Sequence, residues 1–310
     1  MKTFAFVFPG QGSQSVGMMQ PFADSAVVRQ VFDEASQILG EDLWKLVAEG
    51  PPEKLNSTVN TQPVMLTAGY ATYRAWREAG GPEPRMVAGH SLGEYTALVA
   101  AGVIAFRDAV PLVRFRAEAM QEAVPLGSGA MAAILGLADE AVQKACTDSA
   151  AGEVVEAVNF NAPSQVVIAG HKPAVERAAA AAKAAGAKRA IMLPVSAPFH
   201  SSLLQPAAER LAQYMESVSF QAPRIPVVNN VDVAFETDPQ AIRNALSRQA
   251  CRPVRWVEII RAMAARDVSA VVECGPGKVL TSLVRRIETG LESHAVADPA
   301  SIAQTREALA

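Results

Sequence analysis

The residues Gly89-His90-Ser91-Leu92-Gly93 form a G-x-S-x-G pattern. Before them runs the short apolar stretch Met86-Val87-Ala88, itself preceded by Pro82 and Pro84, and after them runs Glu94 to Ala101, a good helix sequence that stops at Gly102. Strand, sharp turn and helix form the context in which such a serine acts as a nucleophile. The small glycines let the backbone take a strained turn, and the turn lifts the hydroxyl toward the positive end of the helix. The bland alternative is a strand-to-helix turn that needs glycines and carries no chemistry. A serine nucleophile needs a base, and the chain has four histidines. His90 adjoins the serine, so its side chain points elsewhere. His171 sits at a strand end before Lys172, and His294 lies in a polar C-terminal segment. His200 follows Ala197-Pro198-Phe199 at a predicted junction between two units, a placement that suits a base at the mouth of a cleft. Asp232, Asp238 or a backbone carbonyl could orient its ring. Arg116 is either a solvated arginine on an amphipathic helix or a fork for both oxygens of a substrate carboxylate.

Those residues need elements to hold them, and the composition allows a large core. The chain has 310 residues, of which 50% are hydrophobic and 19% charged, with a net charge of −3. That balance excludes a disordered chain and gives no general attraction to nucleic acid or to an anionic membrane surface. The apolar start, Met1 to Phe8, is too short for a signal peptide, and no apolar run reaches the roughly 20 residues of a membrane helix. Cys146, Cys251 and Cys274 are few and widely spaced, which predicts neither a disulfide framework nor a metal site and points to a reducing, cytoplasmic compartment. No feature fixes an oligomeric state, and a monomer is the working expectation.

Thr3 to Phe8 reads as a buried strand, followed by the polar glycine-rich loop Pro9 to Gln14, which is suited to presenting backbone N–H groups to an anion. The loop misses the dinucleotide fingerprint because Ser15 stands at the third glycine position. Helices are predicted over Ala26–Leu39, Leu43–Ala48, Thr61–Ala79, with Pro63 in its first turn, and Ala109–Ala123. From Gly129 to Val195 the order becomes βαββαβ, that of a ferredoxin-like unit, whose ends meet. The expected fold is therefore α/β: a large domain with a parallel sheet, residues 1–126 and 197–310, interrupted by a ferredoxin-like insert, residues 127–196. The joints are Gly127-Ser128-Gly129 and Ser196-Ala197-Pro198. After the insert come a helix over Leu203–Val218, a strand over Ile225–Asn230 with a polar end, helices over Ala241–Gln249 and Val254–Ala265, a strand over Val268–Glu273 and a helix over Val279–Glu288. Gly275-Pro276-Gly277-Lys278 resembles a phosphate-binding loop only at its end, since Val272 replaces the first glycine.

The chain resembles the malonyl-CoA:acyl-carrier-protein transacylase family over nearly its whole length. The marks are Phe6 to Gln14, Thr61-Gln62-Pro63, Gly89 to Tyr95, Met120 to Ala123, Val158 to Asn161, Pro226 to Asn230 and Glu273 to Gly277. The resemblance implies an α/β-hydrolase-like large domain, Ser91 as nucleophile and His200 as base, with the backbone carbonyl of Gln249 orienting the histidine. It implies an oxyanion hole made by the N–H groups of Gln11 and Leu92, Arg116 as the partner of the malonyl carboxylate, and Gln62 and His90 lining or supporting the site. It implies no cofactor; malonyl-CoA and the phosphopantetheine thiol of acyl carrier protein are the substrates, and carrier docking is expected at Lys188, Arg189, Arg285 and Arg286. Many members have a serine before the histidine where this chain has Phe199; in related polyketide acyltransferase domains a phenylalanine there accompanies malonyl choice. A trans-acting acyltransferase of a polyketide synthase would carry the same marks. An α/β-hydrolase-type esterase or thioesterase is opposed by Arg116, the βαββαβ stretch and the lack of an H-G-G-G loop, and a silent carrier-binding module by the presence of both Ser91 and His200.

Overall fold

A computed structural model of the chain describes residues 2–195 and 197–310; Met1, and Ser196 of the second predicted joint, lie outside the described residues. The elements follow in order as β1 (Phe4–Phe8), α1 (Ala26–Leu39), α2 (Leu43–Glu49), α3 (Pro52–Asn56), α4 (Thr58–Glu78), β2 (Met86–Gly89), α5 (Gly93–Ala100) and α6 (Phe106–Glu122). Next come β3 (Gly129–Leu135), α7 (Asp139–Ser149), β4 (Val155–Ala162), β5 (Gln165–His171), α8 (Lys172–Ala184) and β6 (Arg189–Met192). The chain closes with α9 (Gln205–Met215), β7 (Val227–Val228), α10 (Pro239–Gln249), α11 (Trp256–Ala264), β8 (Ala270–Cys274), α12 (Val279–Ile287), β9 (Glu292–Val296) and α13 (Pro299–Leu309).

This is an α/β fold with a parallel sheet, ordered β7-β2-β1-β8-β9. The central strand β1 is buried on both faces, as a continuous apolar run in a parallel sheet must be. Phe4, Phe6 and Phe8 point into one core with Tyr73 and Trp76, while Ala5 and Val7 point into the other with Trp256 and Ile259. Each buried phenylalanine contributes about 1.5–3 kcal/mol, so this short strand anchors both layers.

The second sheet is antiparallel, ordered β4-β5-β3-β6, with α7 and α8 between its strands in sequence. Its ends lie together: β3 pairs with β6, and Gly129 packs so closely on the Pro198 ring that a Cβ would collide with it. The sheet is tied to the rest of the chain through Val254, whose N–H donates to Val158 O at 2.9 Å and whose carbonyl accepts from Phe160 N–H at 3.0 Å.

Several boundaries differ from the sequence reading. The helix expected from Thr61 begins at Thr58, so Pro63 lies in its interior rather than in its first turn. Thr58 and Thr61 are buried in this first part of the helix, and Thr61 Oγ1 donates to Leu55 O at 2.6 Å, which ties it to α3. The helix expected from Ala109 begins at Phe106, with Pro111 inside it. The strand expected over Ile225–Asn230 pairs only at Val227–Val228. Three elements went unread: α3, β9 and α13. His294, expected in a polar tail, lies on β9, whose polar and small residues suit its place at the sheet edge. The start of α13 carries a capping box between Asp298 and Ser301.

The elbow depends on close backbone approach. A Cβ on Gly93 would overlap the Phe8 carbonyl, which accepts the His90 N–H at 3.0 Å, and one on Gly89 would overlap the backbone of Gly93. Gly93→Ala should therefore cost about 3 kcal/mol or more. Gly127→Ala, at a positive φ of 82° but in open space, should cost about 1 kcal/mol. Urea midpoints at constant m-value measure both, and equal losses would contradict the close approach at Gly93.

Candidate active site

Ser91 sits between the end of β2 and the start of α5 with φ at 51°, the left-handed region that a sharp strand-to-helix turn requires. Asn230, fully buried just past β7, braces that turn. Its Oδ1 accepts the Ser91 N–H at 2.8 Å and its Nδ2 donates to Gly89 O at 2.7 Å. The sequence reading assigned Asn230 no role, although a polar pair, Asn229-Asn230, ending an apolar strand was a readable signal.

Ser91 Oγ lies 2.7 Å from His200 Nε2, and His200 Nδ1 lies 2.8 Å from the Gln249 carbonyl. A carbonyl only accepts, so Nδ1 carries the proton and bare Nε2 faces the hydroxyl. Burial first, and the nearby Arg116 cation second, push the His200 pKa down to about 3. The two aspartates offered as orienting carboxylates are engaged elsewhere. Asp232 forms a paired contact with Arg248 at 2.8 and 2.6 Å, and Asp238 caps α10 by accepting from Ala241 N.

Arg116 reaches the same point from α6 and is only 2% exposed. Its Nη1 donates to Gln62 Oε1 at 2.7 Å, and its Nη2 donates to Gln249 Oε1 at 2.9 Å and to Ser91 Oγ at 3.2 Å. The guanidinium lies 5.3 Å from the Tyr95 ring centroid. The sequence alone left this arginine between a solvated face and a site; burial removes the first reading. Gln249 contributes a carbonyl to His200 and a side chain to Arg116. Its Nε2 also donates to Ser91 O and to Glu94 Oε2, each at 2.9 Å. The sequence places Glu94 on the helix after the serine and gives it no role. Burial raises its pKa to about 7.

A cavity of about 210 Å³ opens onto these groups. Its wall includes Gln11, Gln62, His90, Leu92, Arg116, Phe199 and His200 from the part built on the parallel sheet, and Met131, Asn159, Asn161, Val167 and Leu193 from the antiparallel sheet or its edge. His90 Nε2 donates to Asn161 Oδ1 at 2.7 Å, and burial lowers the basicity of this ring. Gly10 lies so close to the His90 carbonyl that a Cβ there would overlap it. Among the described residues neither the Gln11 nor the Leu92 backbone N–H has an acceptor. His171 is distant in role: its Nδ1 accepts the Val154 N–H at 3.0 Å. Lys188, Arg189, Arg285 and Arg286 are all exposed. Strand register aligns Arg189, Leu135 and Gln165 in one row, and Arg286 bonds to Gln165, so Arg189 and Arg286 share one end of the antiparallel sheet.

A family model described as the acyl transferase domain matches residues 5–306. The malonyl CoA-acyl carrier protein transacylase of Escherichia coli K12 is 57% identical over 308 residues, 99% of this chain and 100% of its own. The chain belongs to the malonyl-CoA:acyl-carrier-protein transacylase family. The Bacillus subtilis transacylase is 45% identical, over 97% of this chain and 96% of its own. Among solved structures, the acyl-carrier-protein S-malonyltransferase of Burkholderia pseudomallei 1710b is 63% identical, with a TM-score of 0.98, covering 99% of this chain and all of its own. A malonyl-transacylase solved in complex with a type II polyketide synthase acyl carrier protein is 53% identical, with a TM-score of 0.98, and covers the same shares.

For this transacylase-family chain, acidification has two opposed effects. His200, depressed from 6.5 to about 3, binds protons in the unfolded chain first, so its contribution to stability is lost as pH falls from about 6.5 toward 3. Glu94, raised from 4.5 to about 7, acts in the opposite sense, and its contribution is lost as pH rises from 4.5 toward 7. Reactivity separates them, since a neutral His200 ring can take the Ser91 proton and an imidazolium cannot. Modification of Ser91 by an uncharged sulfonyl fluoride should therefore keep its rate well below pH 6.5, and an acid limb centred at 6.5 or above would contradict the depressed pKa.

Proposed function

We propose that this chain moves the malonyl group of malonyl-CoA onto the phosphopantetheine thiol of acyl carrier protein through a malonyl ester on Ser91. The observation that carries the reading is a buried arginine 3.2 Å from the nucleophile, held by the oxygens of two neutral amides. That guanidinium has no carboxylate in contact, so an acyl group ending in a carboxylate fits beside the serine where a neutral one gains nothing.

His200 accepts the Ser91 proton as Oγ attacks the thioester carbon. The Gln11 and Leu92 N–H groups donate to the oxyanion; losing one such donor typically costs about 10²–10³ in rate. The carbon–sulfur bond breaks, His200 returns the proton to the leaving thiolate, and CoA departs. The carrier thiol then gives its proton to His200 and attacks the ester carbon; the bond from that carbon to Oγ breaks, and His200 returns the proton to Ser91. The Gln249 carbonyl keeps the ring in one tautomer throughout, Gln62 and His90 support the pocket, and Phe199 narrows it. No step uses a cofactor.

The antiparallel unit, residues 127–196, reads as a ferredoxin-like insert in an α/β-hydrolase-like catalytic domain, residues 1–126 and 197–310. Its strand order and the meeting of Gly129 with Pro198 support that division. The carrier docks on the exposed cations near Lys188, Arg189, Arg285 and Arg286, whose charge complements an acidic partner. Three free, buried cysteines fit a reducing cytoplasm, where the carrier of fatty acid synthesis is the partner. The polyketide carrier in the 53% identical complex makes a polyketide carrier the second reading, and comparing kcat/KM for the two carriers distinguishes them.

Mixed with malonyl-CoA, the protein should gain a malonyl adduct by intact mass that Ser91→Ala abolishes. Arg116→Ala should lower malonyl transfer about 10²-fold, the loss of two charge-assisted hydrogen bonds, while acetyl transfer falls far less. Equal falls would make Arg116 structural. Phe199 bulk should favour malonyl over methylmalonyl, and equal kcat/KM for the two CoA esters would overturn that role.

A further inference from the structure

Glu94 is the second residue of α5 and 2% exposed. It bonds to neither Ser91 Oγ nor Arg116. Its Oε2 accepts from Gln249 Nε2 at 2.9 Å and from the Asn230 backbone N–H at 3.0 Å. A carboxamide in the position of Gln249 could lie either way round. Two acceptors decide which: Ser91 O is a carbonyl, and Glu94 Oε2 already takes the Asn230 N–H, so the NH2 end faces both. The other end, Oε1, is thereby left toward Arg116 Nη2 at 2.9 Å. In the reverse orientation the amide hydrogens would meet the guanidinium hydrogens, donor against donor.

The arrangement also answers an electrostatic problem. A buried guanidinium without a counter-charge is costly, yet a carboxylate in direct contact would occupy the edge a substrate needs. Glu94 stands one amide away, near enough to attract the cation and too far to cover it. Arg116 Nε has no acceptor among the described residues, so the fork keeps an unused donor. The neighbouring carboxylate, Asp232, is committed to Arg248.

We propose that Glu94 is a positioning residue for acyl-group selectivity: acting through the Gln249 carboxamide, it holds the Arg116 guanidinium beside Ser91 with its charge free for a carboxylate-bearing acyl group. The proposal rests on the malonyl-transfer reading above. Asn230 joins the two halves of the network, since its backbone N–H bonds to Glu94 while its side chain braces the serine turn.

The test is a double-substitution cycle read as the ratio of kcat/KM for malonyl-CoA to that for acetyl-CoA. Glu94→Met removes the acceptor and should lower the ratio about tenfold, the worth of one charge-assisted hydrogen bond. Glu94→Gln, which can still turn an oxygen to Gln249, should restore most of it. Gln249→Met keeps the backbone carbonyl and should lower the ratio as far, and the Glu94→Met/Gln249→Met pair should be no worse than Gln249→Met alone. Additive losses, or equal falls for both thioesters in Glu94→Met, would overturn the proposal. If Glu94→Met does not fold, Gln249→Glu sets a carboxylate directly on Arg116 and should lower the ratio; an unchanged ratio overturns the proposal equally. A wild-type protein that forms no malonyl adduct counts against malonyl transfer itself. Glu94 is then judged without substrate, by NMR of protein labelled with 15N-arginine: the Arg116 Nη signals should move in Glu94→Met, and unmoved signals would refute the coupling.

Discussion

A guanidinium buried to 2% exposure beside a serine hydroxyl is the constraint around which this molecule is built. Burying an unpaired cation costs several kcal/mol even after relaxation, so its neighbours must compensate without covering it. Two amide oxygens and the face of the Tyr95 ring do this at close range, and Glu94 does it at one remove. Gln249 is the joint of the arrangement. Its carbonyl fixes the histidine tautomer, its Oε1 holds the arginine, and its Nε2 ties the serine backbone to the buried carboxylate. One residue at the end of α10 therefore sets His200, Arg116 and Ser91 relative to each other.

The fold delivers these groups by close packing rather than by flexible loops. The elbow can form only because the backbones of Phe8, Gly89 and Gly93 approach within distances no side chain would allow. Asn230 then locks the turn from the neighbouring strand of the parallel sheet. The antiparallel sheet closes the cavity from the other side, and the His90–Asn161 bond and the Val254 ladder carry rigidity across. A site assembled from both sheets has its walls set by packing, which is what holding an arginine and a histidine within reach of one hydroxyl demands.

Much of this was legible in the sequence, for physical reasons that can be named. The elbow was readable because glycine, serine and glycine between an apolar run and a helix former have few other uses. The βαββαβ order was readable because alternating periods of two and 3.6 residues are local signals. Pro63 misled because proline at a first helical turn is the common case, and only the turn ahead of it reveals the exception. β9 was illegible because an edge strand of polar and small residues has no apolar period. Asp298 and Ser301, by contrast, spelled a helix start that could have been read. The roles of Glu94 and of the Gln249 side chain could not be found locally, since their partners lie more than a hundred residues away along the chain, whereas the polar end of β7 at least flagged Asn230. Arg116 stood between surface and site until its burial was known.

The depressed basicity of His200 bears directly on the proposed reaction. A base pushed down to about 3 is reliably unprotonated at neutral pH, yet it is a weak acceptor for a serine proton. Burial is the larger cause and Arg116 the second. The second is not fixed. On the proposed reading, a substrate carboxylate that settles on Arg116 offsets the cation that disfavours imidazolium, and His200 becomes more basic. A substrate without that carboxylate leaves the base as weak as it was. On this physical account the arginine discriminates twice, once by binding the carboxylate and once by letting the bound carboxylate strengthen the base. The second effect acts on the proton transfer itself, so it raises the rate of the chemical step rather than merely the occupancy of the site.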